Sequence, residues 1–136
     1  MSSIIYSGST PKFLIKIRDE NGLQLDPRAV ANPIQVTAVW AYIYNAITGV
    51  VIGKFYFGTA PNPLTGWELM TVTGNMGTVP LPDYRLKLIL TAAQTQAAEG
   101  NSNTMQITLT VPDADVPGGR IVIKTGKFSE IVKSKP

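Results

Sequence analysis

Residues Ile34 to Gly58 read IQVTAVWAYIYNAITGVVIGKFYFG, the longest apolar run in the sequence. β-Branched and aromatic residues dominate this stretch, and they favour a pleated strand over a helix. The side chains alternate with a period of two, which places Trp40 on the same face as Val36 and Ala38. Gly49 lies where the chain must turn back, because glycine adopts a positive φ without steric cost. The stretch therefore predicts a β-hairpin, with Trp40 buried between two sheets.

Other segments alternate in the same way and are separated by turn residues. The inward-facing positions are Phe13, Ile15 and Ile17, then Tyr84, Leu86, Leu88 and Leu90, and then Met105, Ile107, Leu109 and Val111. Trp67 to Val72 is predicted as a short strand, and a last hairpin is predicted around Thr125-Gly126. Roughly seven to nine strands without βαβ alternation predict an all-β, antiparallel sandwich. Residues 1–136 are expected to form a single domain, with an N-terminal arm at residues 1–10.

One segment changes from strand to helix character. Thr91 to Ala98 reads TAAQTQAA, in which Thr91 and Gln94 have the spacing of a capping box. Gly100 is predicted to end this helix.

The composition argues against an enzyme. The chain has no Cys and no His, so it lacks thiolate ligands and the commonest general base. Its nine acidic residues show no spacing that singles out a catalytic pair. We therefore expect no catalytic residue, no resident metal and no cofactor.

Two groups of carboxylates are candidates for a calcium site. Asp113 and Asp115 flank one alanine, and Asp19, Glu20 and Asp26 lie around another turn. Neither group has the spacing of an EF-hand. Asp and Asn also stabilise turns through their own side chains, and we favour that interpretation.

The charge pattern bears on partners and location. Charged residues make up 15% of the chain and the net charge is +3, whereas about 25% is typical. A surface with few charges resembles the core of a protein interface, although a threonine-rich β surface has the same composition. The sequence has no basic run that indicates nucleic acid, no apolar run long enough for a membrane helix and no signal-peptide pattern. We therefore expect a protein that is made in the cytoplasm and is not secreted.

The candidate contact residues fall into three sets. The first is the arm, with Ile4, Ile5 and Tyr6, which can add a strand to a neighbouring molecule. The second is a basic edge with Arg120, Lys124 and Lys127, although lysine on an edge strand also discourages aggregation. The third set is Trp40, Tyr42, Tyr44, Tyr56 and Trp67. These aromatic residues are a candidate sugar-binding platform, but their alternation favours the core, with Trp67 the most exposed.

Three segments in order carry a resemblance to a known group. They are Ser9-Thr10-Pro11 followed by FLIKIRDENGLQLD, the aromatic hairpin, and LILTAAQTQAAEGNSNTMQITLTVPDADVPGGRIVIKTGKF. This order resembles the immunoglobulin-like N-terminal domains of tailed-bacteriophage baseplate upper proteins and related virion decoration and fibre-base proteins. The resemblance implies an immunoglobulin-like fold and a non-enzymatic virion component that attaches to other virion proteins and to itself. A carbohydrate- or ligand-binding β-sandwich module is the alternative.

Overall fold

A computed structural model of the chain describes residues 5–28, 36–78, 83–100, 103–127 and 131–132. These residues form short and long strands and one short helix. The elements in chain order are β1 (Ile5–Tyr6), β2 (Lys12–Ile15), β3 (Ala38–Asn45), β4 (Val51–Gly58), β5 (Glu68–Leu69), β6 (Thr71–Val72), β7 (Leu86–Ile89), α1 (Ala92–Ala97), β8 (Asn103–Val111), β9 (Arg120–Lys127) and β10 (Ile131–Val132).

The strands form three sheets. The largest has five strands in the order β5-β4-β3-β8-β9, the second has the order β2-β7-β6, and β1 pairs with β10. Most neighbouring strands are antiparallel, as predicted, but β4–β5 and β1–β10 are parallel pairs. The protein is therefore mostly β, with mixed sheets and one short helix in the described part of the chain.

The predicted hairpin is confirmed as β3 and β4, which pair antiparallel from Ala38 opposite Gly58. At the turn, the Asn45 side-chain oxygen accepts hydrogen bonds from the backbone N–H groups of Ile47 and Thr48. Gly49 has a φ of 76°, which is the left-handed conformation expected from its position.

The predicted orientation of the hairpin is wrong. Val39, Ala41 and Ile43 are buried in the core, whereas Trp40 is half-buried and lies outside the core cluster. Both faces of this stretch are apolar, so a period of two identifies two faces without indicating which one meets the second sheet. The Trp40 indole N–H donates to the carbonyl of Thr59 at 3.0 Å. On this face the indole N–H has a hydrogen-bond partner, which it would also need inside the core.

A single apolar cluster connects the five-stranded and three-stranded sheets. Its fully buried side chains include Val39, Ile43, Phe55 and Leu109 from the first sheet and Leu86 and Leu88 from the second. The alternation predicted around Leu86, Leu88 and Leu90 is confirmed, because all three are buried. One shared core between two sheets is compatible with a β-sandwich.

The predicted helix is confirmed as α1. Thr91 is its N-cap, with the Thr91 hydroxyl accepting from the Gln94 N–H and the Gln94 side chain accepting from the Thr91 N–H. This reciprocal arrangement is the capping box that the Thr-x-x-Gln spacing predicted. The buried Thr95 side chain faces the N-terminal segment, as described below.

The predicted hairpin around Thr125-Gly126 is wrong. The Thr125-Gly126 pair lies inside β9, which pairs with β8 from Val111 opposite Arg120 to Thr104 opposite Lys127. The following strand β10 pairs with β1 and not with β9, so no hairpin forms there. A Thr-Gly pair is permissive for a turn but does not require one, and the long partner strand β8 continues the pairing.

The segment from Trp67 to Val72 was predicted as one short strand and instead supplies two. β5 belongs to the five-stranded sheet and β6 to the three-stranded sheet. Met70 lies between them, buried, and its N–H donates to the carbonyl of Tyr56 at 2.8 Å. The chain therefore passes from one sheet to the other at a single residue.

Candidate functional site

The face of the five-stranded sheet that points away from the core is the candidate contact surface, and we call it the outer face. Strand register brings Trp40 opposite Tyr56 and Thr108, and Tyr42 opposite Lys54. The register positions on the outer face are Trp40, Tyr42 and Tyr44 on β3, Lys54 and Tyr56 on β4, Thr104, Gln106, Thr108 and Thr110 on β8, and Ile121, Ile123, Thr125 and Lys127 on β9.

Three aromatic side chains meet on the outer face and form what we call the aromatic cluster. The ring of Trp67 lies 5.0 Å from that of Tyr42, edge to face, and 5.8 Å from that of Trp40. The Lys54 ammonium lies 5.6 Å from the Trp67 ring, within the range of a cation–π contact. All three aromatic residues are half-buried. They lie outside the core cluster, which contradicts the prediction that the alternation places Trp40 and Tyr42 in the core. Trp67 was expected to be the most exposed aromatic residue, and it is half-buried like the other two.

The outer face carries little charge. Lys54 and Lys127 are the two charged residues among the register positions defined above. On β9, Ile121 is 64% exposed and Ile123 is 60% exposed. Alternation along β9 predicts that Ile121 and Ile123 share a face opposite that of Arg120 and Lys124. Their pairing opposite Thr110 and Thr108, which places them on the same face as the aromatic cluster, depends on the register of β8 and β9.

The N-terminal arm is attached to its own domain within the described residues. Ile5 is buried in the core cluster and pairs with Ile131, while Tyr6 is exposed. The Gly8 N–H donates to the Thr95 hydroxyl, and that hydroxyl donates to the Ser9 carbonyl, both at 2.9 Å. Residues 5–9 are therefore held to their own domain, and strand addition by the arm to a neighbouring molecule stays a prediction. Ile4 lies outside the described residues.

The basic edge is not a row of equivalent free charges. The Arg120 guanidinium forms ion pairs with Glu20 and, at 3.0 Å, with Asp113. Lys124 is half-buried and has no ion-pair partner within the described part of the chain. Lys127 ends β9. Arg120 therefore holds a turn and a loop to the start of β9, and Lys124 is left as the cation available to a partner.

The turn interpretation of the carboxylates is confirmed for Asp19 and Asp113. Asp19 accepts from the N–H groups of Asn21 and Leu23, and Asp113 accepts from the N–H of Asp115, all at 2.9 Å. The N–H of Asp115, together with the Arg120 guanidinium, lowers the pKa of Asp113 below its usual value. In the ranges that the structure describes, no three His, Cys, Asp or Glu residues come together as metal ligands.

The pair of Asp83 and Arg85 was not predicted. Arg85 contacts Asp83 at 2.8 Å, and the Gln24 amide donates to the same carboxylate at 2.7 Å. The Arg85 guanidinium and the Gln24 amide lower the pKa of Asp83 to about 2. Gln24 and Asp83 are distant in the sequence, so alternation and spacing carry no signal of this contact.

No protein-family model, no curated protein and no solved structure matches this chain. Within the described ranges, no helix combines the length and apolar character that crossing a membrane requires. The candidate functional features of this chain are therefore the outer face, the edge of β9 and the aromatic cluster.

Proposed function

We propose that this protein is a non-enzymatic structural component of a phage virion, in the capsid, head fibre, tail or baseplate. It binds copies of itself and other virion proteins, and it binds neither nucleic acid nor a membrane. It is made in the host cytoplasm and reaches its final location by assembly into the particle. The observation that carries the protein-contact role is the sparsely charged outer face, while the virion assignment comes from the sequence resemblance.

Two protein surfaces must lose their bound water when they form an interface. Charged groups are expensive to remove from water, and their removal is offset only when they find well-placed partners. The outer face presents mostly aromatic rings, threonine hydroxyls and isoleucine side chains, and its charged register positions are Lys54 and Lys127. Aromatic residues are enriched and charged residues are depleted at the centre of protein interfaces. A flat sheet face of this composition suits repeated contact with other folded proteins.

We also propose that the two larger sheets pack as an immunoglobulin-like sandwich in one domain. The core shared by Phe55 and Leu109 on one sheet and Leu86 on the other supports this arrangement. An experimentally determined structure tests it through the strand order and the angle between the sheets. Two sheets that do not pack face to face would contradict the proposal.

Particle composition and outer-face variants test the proposed function together. Mass spectrometry of purified virions should detect this chain, and its persistent absence would defeat the virion assignment. Thr108→Lys places a charge at the centre of the outer face and should reduce incorporation into particles or self-association at least tenfold. Thr71→Lys, an exposed position on the second sheet, is the matched control. Equal incorporation of both variants would argue against the outer face as the contact surface.

A second candidate function is carbohydrate binding, and the aromatic cluster favours it. Sugars stack their C–H faces on indole and phenol rings, and Gln106 and Lys54 lie beside the rings as hydrogen-bond donors. Titration with oligosaccharides, followed by tryptophan fluorescence, separates the two candidates. Saturable binding that Trp67→Ala abolishes, in a variant that still folds, would favour the carbohydrate module. No response to any glycan leaves protein contacts as the function of this face.

A further inference from the structure

The far edge of β9 is an open strand edge. β9 is the last strand of the five-stranded sheet and has eight residues. Among the described strands, only β8 pairs with it. A strand at a sheet edge presents N–H and C=O groups that an additional strand can bind, with main-chain hydrogen bonds providing affinity.

The side chains of β9 differ between its two faces. Ile121 and Ile123 point to the outer face and are largely exposed. Lys124 points to the opposite face, where Val122 is buried against the core. Arg120 shares that face but is already paired with Asp113 and Glu20. Along residues 121–124, an added strand therefore meets apolar side chains on one face and, on the other, a lysine that has no ion-pair partner among the described residues.

We propose that the edge of β9 binds an extended segment of another protein, whose side chains alternate between apolar and acidic. The segment adds a sixth strand to the sheet. Its apolar side chains pack beside Ile121 and Ile123, and its carboxylates lie beside Lys124. This proposal rests on the proposed function, since it names one kind of partner segment that the protein binds during assembly.

Charge complementarity selects this occupant over a second copy of the chain. Pairing β9 with β9 of another molecule brings two copies of Lys124 to one edge, and like charges on neighbouring strands are destabilising. The chain's own arm, MSSIIYSGST, contains no acidic residue. Neither segment supplies the carboxylate that Lys124 lacks.

The added strand also extends the outer face. Ile121 pairs with Thr110, and Ile123 pairs with Thr108, across β8. Apolar side chains of a bound segment therefore continue the surface that leads to Trp40. One partner is able to use both the strand edge and the outer face without a gap between them.

Two synthetic peptides and a charge reversal test the proposal on the full chain. One peptide alternates valine and glutamate over eight residues, and the other alternates valine and lysine. Calorimetry should detect binding of the glutamate peptide and at least tenfold weaker binding of the lysine peptide. The Lys124→Glu variant should reverse this preference. Lys12→Glu, an exposed position on β2, should retain it. Circular dichroism checks that each variant folds. If Lys124→Glu does not fold, Lys124→Gln takes its place, and it should bind both peptides equally.

Hydrogen exchange shows where the peptide binds. Binding of the glutamate peptide should protect amides within residues 120–127, and protection confined to another strand would overturn the proposal. Equal binding of both peptides to the unmodified protein would also overturn it. These outcomes are separate from the virion assignment. Peptide binding that switches with Lys124 in a protein absent from virions leaves the edge site standing and refutes the proposed function. A virion protein without peptide preference refutes only the edge site.

Discussion

Phe55 and Trp40 lie on neighbouring strands, but their side chains are shielded from water to different extents. Phe55 is 1% exposed and sits in the core cluster, whereas Trp40 is half-buried on the outer face. Phe55→Ala should lower the free energy of unfolding by roughly 3–5 kcal/mol, the usual cost of deleting a buried aromatic ring. Trp40→Ala should cost less than half as much, because the Trp40 ring is half-buried outside the core cluster and packs on the ring of Trp67. Denaturant titration measures both.

The comparison between these two variants is more informative than either value. Equal losses of stability would show that the outer face is covered in solution. A protein that self-associates through this face would behave in that way, so the measurement is made at low concentration and repeated at high concentration. A cost for Trp40→Ala that rises with concentration would indicate self-association.

Asp83 should make part of the stability depend on pH. Its pKa in the folded protein is about 2, below the unfolded value of about 3.9. The stabilisation is therefore complete above about pH 5 and is lost as the pH falls from about 4 to about 2. Asp83→Asn should melt earlier than the unmodified protein near pH 7, and the difference should shrink below about pH 4. Melting curves across this range measure it, with Asp115→Asn as an exposed control. A difference that does not change with pH would contradict the assignment.

At the scale of elements, α1 holds the N-terminal segment through Thr95. Thr95→Val keeps the shape of the side chain and removes the hydroxyl that bonds Gly8 and Ser9. The loss should be roughly 1–3 kcal/mol, because the partner groups are left unsatisfied. Hydrogen exchange within residues 5–10 should accelerate. Thr95→Ser retains the hydroxyl and should keep most of the protection, and equal exchange in both variants would exclude this role.

Sequence patterns predicted an element correctly where the residues of that element alone determine its structure. The capping box at Thr91 and Gln94 and the alternation at Leu86 and Leu88 are of this kind. Which face of β3 meets the core, and which strand pairs with β10, depend on contacts between residues far apart in the sequence. An apolar stretch with two apolar faces carries no information on this choice. The same limit applied to the site, because only the register of β8 and β9 shows that Ile123 lies on the same face as the aromatic cluster.

At the scale of the whole molecule, the two ends of the chain are joined by β1 and β10. Removal of residues 1–10 deletes Ile5 from the core and leaves β10 without its partner. The truncated protein should therefore lose roughly 2–5 kcal/mol, as expected for deletion of a buried aliphatic side chain. Thermal unfolding measures the loss. A truncated protein that melts normally but fails to enter particles would restore the arm as a connector between molecules.

Oxidation of Met70 offers a way to follow opening of the folded protein. Its thioether lies where the chain passes between the two sheets and is 1% exposed, whereas that of Met76 is 47% exposed. Peroxide converts methionine to its sulfoxide only where it reaches the sulfur. Oxidation of Met76 therefore measures the dose of oxidant, and oxidation of Met70 measures how often its buried site opens to solvent. The ratio of the two sulfoxides measures opening of the folded protein without any label.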